Sequence, residues 1–132
     1  MELESGAHTV HSLFYHVVWV PKYRRRILDG QVGVRAEEVI RQVAKEYGYV
    51  IDTLKVSPDH VHLLLRLPPR QSVADAVRVL KSITARTLFQ EFPGLKMHLW
   101  KGSLWADGYC VNTIGGLNLD IVRQYIKQEQ EQ

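Results

Sequence analysis

The chain has a single cysteine, Cys110, and lacks low-complexity tracts, internal repeats and long apolar runs. One thiol excludes an intrachain disulfide framework and fits a reducing cytoplasm. No apolar window of about 18 residues exists, so no membrane-spanning helix is expected. The opening Met1-Glu2-Leu3-Glu4-Ser5-Gly6 has none of a signal peptide's apolar core. Strong charge of either sign is missing as well: 17 Lys and Arg against 14 Asp and Glu leave a net charge of +3. A mildly basic balance suits a nucleic-acid partner without requiring one. What is present is ordinary for a soluble domain, with 45% hydrophobic residues. No linker divides the chain, so residues 1–132 are expected to form one domain with a loose start over 1–10.

From His11 to Val20 the chain is crowded with Phe14, Tyr15, Val17, Val18, Trp19 and Val20, which predicts a largely buried strand stopped by Pro21. Lys22-Tyr23-Arg24-Arg25-Arg26 then sets four cations and an aromatic just past the strand end. Such a run is either a solvated loop or a phosphate-contacting patch; the interleaved tyrosine favours the patch. A turn at Asp29 or Gly30 leads into a helix over 32–47, striped by Val32, Ala36, Val39, Ile40, Val43, Ala44 and Tyr47 and ended by Gly48. A strand over 49–56 follows, and Pro58-Asp59 turns it into a hairpin with the next.

Past Pro68-Pro69, Ser72-Val73-Ala74-Asp75 has the logic of a helix cap. That helix runs to about Phe92, with Val73, Val77, Leu80, Thr84 and Leu88 on its buried stripe. Arg78, Lys81 and Arg86 form a basic flank, either solvated or touching a phosphate backbone. Pro93-Gly94 breaks it. A segment Trp100–Trp105, a strand over 108–114, a joint at Gly115-Gly116 and a last helix over 119–130 complete the chain. Asn118 is its expected N-cap, and Leu119, Val122 and Ile126 are its buried stripe. The order β-α-β-β-α-β predicts an α+β fold with a ferredoxin-like split βαβ core: an antiparallel sheet with helices on one face, plus an added C-terminal helix in segment 117–130.

Chemistry concentrates in two places. In Ser57-Pro58-Asp59-His60-Val61-His62-Leu63-Leu64-Leu65, period-two alternation sets His60 and His62 side by side on one strand face. Two imidazoles so held are half of a metal site, or else two histidines on a solvated sheet face. On the last helix Tyr125 and Glu129 share a face at i and i+4. A phenol beside a metal can attack phosphorus, and a carboxylate or amide oxygen one turn on can complete the coordination. Tyr125 can equally be an ordinary amphipathic residue on a surface helix.

Taken together, Tyr15-His16-Val17-Val18-Trp19-Val20-Pro21-Lys22-Tyr23-Arg24-Arg25, the Pro58–Leu65 stretch, Leu99-Trp100, Leu104-Trp105, Tyr109-Cys110 and Arg123-Gln124-Tyr125-Ile126 resemble the single-tyrosine HUH transposases of the IS200/IS605 type. The resemblance runs from about His8 to Glu129. It implies a transposase acting on single-stranded DNA with hairpin ends. Tyr125 would form a 5′-phosphotyrosine intermediate and free a 3′-OH for strand transfer, with no nucleotide cofactor. His60 and His62 would hold Mg²⁺ or Mn²⁺. Lys22, Arg24, Arg25, Arg26, Arg78, Lys81 and Arg86 are the candidate DNA contacts. The family works as homodimers whose sheets join, and its tyrosine helix can serve either subunit, with Gly115-Gly116 as the joint. Where the family has a glutamine four residues after the tyrosine, this chain has Glu129, expected as the third ligand with Gln128 as fallback. Two other readings stay open: a catalytically silent or domesticated hairpin-binding protein, and a palindrome-processing relative.

Overall fold

The computed structural model describes residues 4–6, 9–11, 13–99 and 102–129. Trp100, Lys101 and Gln130 lie outside the described residues, as do the side chains of Leu117 and Glu129. Within the stretch expected to be loose, β1 (Glu4–Gly6) and β2 (Thr9–His11) pair antiparallel. The first strand of the main sheet, β3 (Phe14–Trp19), therefore starts later than expected, because His11 already belongs to β2.

Helix α1 (Gly30–Tyr47) leads to the hairpin β4 (Val50–Ser57) and β5 (His60–Arg66). Then come α2 (Val73–Glu91), the short α3 (Leu95–His98), β6 (Cys110–Ile114) and α4 (Leu119–Glu129). The sheet order is β4-β5-β3-β6, with every neighbouring pair antiparallel. This is the split βαβ arrangement, and β5 is a central strand, as the sequence predicts.

Local chemistry explains the boundaries. Asp29 accepts a hydrogen bond from the amide of Gly30 at the start of α1. Gly48 takes the left-handed conformation, φ 78°, that closes the helix at little steric cost. Ser72 caps α2 by accepting from the Asp75 amide. Asn118 is not the simple cap expected of it; it belongs to a 3-10 turn over Gly116–Asn118 that runs straight into α4.

The main core lies between the sheet and the α1–α2 layer, where Val17, Trp19, Val61, Leu63 and Leu65 meet Ile40, Val43, Val77, Leu80 and Leu88. The α1 stripe stops one turn earlier than its spacing predicts. Tyr47 is 48% exposed, whereas Tyr49, beyond the Gly48 reversal, is buried at 4%. Burial also raises the Tyr49 phenol above its ordinary pKa. Arg35 clamps the two helices through a two-pronged pair to Glu91, at 2.8 and 3.1 Å. Trp105 closes one end of the core edge-on to Trp19 and donates its indole N–H to the carbonyl of Lys81.

Gly33 packs close against the chain that leads into α1: a Cβ there would stand 2.4 Å from the carbonyl oxygen of Leu28. Leu28 cannot easily yield, since it is buried and its amide donates to the carbonyl of Pro58. Gly33→Ala is expected to lower unfolding free energy by about 1–3 kcal/mol in a urea titration, despite alanine's better helix propensity.

Candidate active site

Each strand of the sheet has a second set of alternate residues, turned away from α1 and α2. On β5 these are His60, His62 and Leu64. Register places Ser57, Lys55 and Thr53 of β4 beside them, and Val18 and His16 of β3 opposite His62 and Leu64. Cys110 and Asn112 of β6 extend the same rows. This face is divided by chemistry: Phe14, Leu64 and Ile114 make an apolar end, and the three histidines a polar end.

α4 docks on the apolar end. Leu119 and Ile126 are buried against Phe14 and Leu64, with Val122 partly so. A helix advances about 100° per residue, so Tyr125 flanks that stripe and overhangs the polar end. Its ring centroid lies 6.1 Å from that of His62 and 6.4 Å from that of His16, and the side chain is 55% exposed. His60 and His62 stand 4.7 Å apart, ring to ring. The added helix thus brings Tyr125 of α4 over His62 of β5, with His60 beside it on the same strand.

Three supporting groups are given no site role by the sequence. His16 sits 3.3 Å from His62, Nε2 to Nδ1. Asp59 hydrogen-bonds Nδ1 of His60 at 2.8 Å and accepts from Nε of Arg24 at 3.1 Å. Burial alone would raise the Asp59 carboxyl, but His60 and Arg24 bring it net below its ordinary pKa. Asp52 accepts from both Nε and Nη2 of Arg123, a fork-to-carboxylate pair that ties α4 to β4. The signal that could have found His16 was period two on β3, which puts it on the same face as Phe14 and Val18. Asp59 is the sequence neighbour of His60, whereas the Asp52 pair with Arg123 becomes visible only when the docking of α4 is known.

For a divalent ion, the donors that fit are the two imidazoles. Among the described residues no group of three His, Cys, Asp or Glu side chains is arranged to hold a metal. Any third donor would have to come from elsewhere, and Glu129 occupies the register position one turn beyond Tyr125. The fallback Gln128 fits less well: it is exposed, and lies about 200° around the helix from fully buried Ile126.

The basic residues do not converge. Lys22, Arg24, Arg25 and Arg26 follow β3 in a loop where Tyr23 and Arg24 hold left-handed backbones, φ 60° and 50°. Arg24 leans on Asp59; Arg25 and Arg26 are exposed. Arg78 and Arg86 are exposed on α2, in the layer across the sheet from the histidines. Lys81 departs from its expected role. Its ammonium donates to the carbonyls of Ala106 and Gly108, both at 2.9 Å, and burial lowers its pKa. It holds the 102–109 segment against α2.

The architecture is that of the single-tyrosine transposases. A crystal structure of a transposase-like protein from Deinococcus radiodurans matches with a TM-score of 0.79 and 36% identity, over 96% of this chain and 98% of that one. A REP-associated tyrosine transposase bound to a REP hairpin shares the fold, at a TM-score of 0.65 and 15% identity, over 93% and 69% of the two chains. The family model described as "Transposase IS200 like" matches residues 9–129, and the chain belongs to that family: it is a transposase of the IS200/IS605 type. It is 37% identical over 131 residues to the ISDra2 transposase TnpA of D. radiodurans, covering 99% of this chain and 94% of that protein. It is 32% identical over 129 residues to the transposase for insertion sequence element IS200 of Salmonella typhimurium, covering 98% and 84%. Among the described residues no helix is long and apolar enough to cross a membrane.

The Arg123–Asp52 pair predicts how docking of α4 responds to pH. Hydrogen bonding from Arg123 holds the Asp52 carboxyl below its ordinary pKa. A depressed folded-state pKa gives stabilisation that is fully present above the unfolded value, about 3.9, and is lost as pH falls through the folded value. Hydrogen exchange of α4 amides should therefore show constant protection between about pH 5 and 8. Asp52→Asn should lower that protection by about 1–2 kcal/mol at neutral pH.

Proposed function

We propose that this transposase cleaves and joins single-stranded DNA through Tyr125. The reading is carried by one observation: the Tyr125 ring stands over the sheet face that bears His62, with His60 alongside. The phenolic oxygen attacks the phosphorus of a phosphodiester at an element end. A P–O bond to Tyr125 forms and the bond to the 3′ oxygen breaks. The phenol gives up its proton, and the departing oxygen gains one to become a free 3′-OH. The DNA is then held as a 5′-phosphotyrosine. Attack by a 3′-OH on that linkage reverses the chemistry at a new junction and restores the tyrosine. One phosphodiester-level bond is exchanged for another at each step, so no nucleotide cofactor is needed.

His60 and His62 would hold Mg²⁺ or Mn²⁺, with Glu129 as third ligand. The ion supplies charge neutralisation at the phosphate and orientation of the scissile bond. Substrate is single-stranded DNA with hairpin ends, in the cytoplasm. Arg24 is tied to Asp59 of the histidine hairpin and Arg25 and Arg26 follow it, exposed, which supports these three as backbone contacts; Lys22 bonds to the 102–104 segment, and Arg78 and Arg86 can serve only DNA that reaches the α2 layer. A homodimer is supported by β6, an edge strand paired on one side by β3 and exposed along most of its length. Gly115 has an ordinary φ of −78° and open space where a Cβ would sit, so nothing local demands glycine there. That favours a joint whose freedom matters in a second position of the helix.

Incubation of a hairpin-bearing single-stranded oligonucleotide with the protein and Mn²⁺ should give a covalent adduct on a denaturing gel. Tyr125→Phe should abolish the adduct while leaving hairpin binding intact. Binding without an adduct under any divalent ion would leave a silent hairpin-binding protein as the better account. In a separate titration against salt, Arg25→Ala with Arg26→Ala should flatten the dependence of log K by about 0.7 for each phosphate that these side chains neutralise. Lys81→Ala should leave that slope unchanged and instead lower stability.

A further inference from the structure

The chemistry proposed for Tyr125 and the metal leaves His16 without a role, although a ring nitrogen of His16 lies 3.3 Å from one of His62. The two belong to neighbouring strands and are 46 residues apart in sequence. Register pairs His16 with Leu64, two residues past His62. This makes His16 and His62 diagonal neighbours on one face, a distance that ring side chains can bridge. Their rings lie 5.4 Å apart at 38°, with Nε2 of His16 at 3.3 Å from Nδ1 of His62. His62 is buried, 4% exposed.

A parallel arrangement holds the other histidine. Nδ1 of His60 meets Oδ1 of Asp59 at 2.8 Å. Both imidazoles of the pair are thus engaged through Nδ1, one by a carboxylate and one by a third imidazole. Neutral imidazole carries one N–H, and the partner of one nitrogen decides which nitrogen keeps the lone pair. If His16 donated to His62, the proton of His62 would sit on Nε2 and that nitrogen would have no lone pair for a metal. If His62 donates, Nε2 is a ligand.

We propose that His16 is a positioning residue: its Nε2 accepts the Nδ1–H of His62, locks the tautomer of His62 and turns its Nε2 lone pair toward the metal. The inference rests on the two-histidine metal reading and adds a residue to it. Outer partners of this kind set ligand orientation and basicity, and losing one typically weakens metal binding by about 10–100-fold.

The test uses the full chain with Mn²⁺ alone as probe, by calorimetry, and the metal-free protein by ¹⁵N NMR of the histidine rings. In the wild type, His62 should show a protonated Nδ1 and an unprotonated Nε2. His16→Leu removes the acceptor and should bring a mixed or Nε2–H tautomer and an Mn²⁺ affinity lower by about 10–100-fold. His16→Gln restores an acceptor oxygen and should recover the tautomer and most of the affinity. A wild-type His62 protonated on Nε2 overturns the proposal, as does unchanged Mn²⁺ affinity in His16→Leu. Equal loss in both variants, with the tautomer unaltered, reduces His16 to packing and also overturns it. Should His16→Leu fail to fold, the wild-type tautomer and the His16→Gln affinity decide. Failure of the underlying reading looks different: wild type would then bind Mn²⁺ no better than the His60→Ala, His62→Ala double variant.

Discussion

The antiparallel pairing of β3 with β5 is the constraint from which the rest follows. Val17 faces Leu63 and Tyr15 faces Leu65 toward the α1–α2 core, while His16 and Val18 face Leu64 and His62 on the other side. A slip of one residue would bury the histidines and expose the leucines. The buried row of Val61, Leu63 and Leu65, all fully inaccessible, makes such a slip prohibitive. The geometry of the polar face is thus held by hydrophobic burial on the opposite face. That is a rigid way to present side chains, because the strands cannot shift without opening the core.

Attachment of the tyrosine helix is of a different character. α4 contributes a small satellite cluster, Leu119 and Ile126 on Phe14 and Leu64, and one charged clamp, Arg123 on Asp52. Half of the candidate site is therefore built into the sheet, and the other half rests on an element with few buried contacts. Elements of low local stability are the ones able to leave and return without unfolding a domain. The division suits the chemistry proposed for Tyr125, in which the attacking group first engages DNA and later releases it.

Basic residues show how local sequence can mislead. The Lys22–Arg26 run and the α2 flank read alike as cations near an aromatic or apolar stripe. In the fold the run lies next to the histidine hairpin and is tied to it through Arg24 and Asp59. The flank lies in the other layer, and Lys81 there bonds two backbone carbonyls. A cation engaged with carbonyls is architecture; an exposed one beside the polar face is available to phosphate.

Much of the fold was legible because its signals are local. Period two in His60–Leu67, period near four in α1 and α2, the Pro58-Asp59 turn, Ser72 as a cap and Gly48 as a stop each depend on a few adjacent residues. At Tyr47, at Asn118 and at the start of β3, where local pattern and structure differ, the deciding factor was a neighbour in space or an additional short pairing. The site was half legible for the same reason. His60 and His62 share a strand, and two residues of separation suffice to place them together. Tyr125 joins them because α4 buries one particular stripe against one end of the sheet. His16 and Asp52 acquire meaning only through strand register and helix docking. By itself the sequence determined the elements, the paired histidines and the family, all short-range or whole-chain patterns. Only tertiary structure decided which faces meet, since contacts between residues dozens of positions apart are set by packing and cannot be read from either one alone.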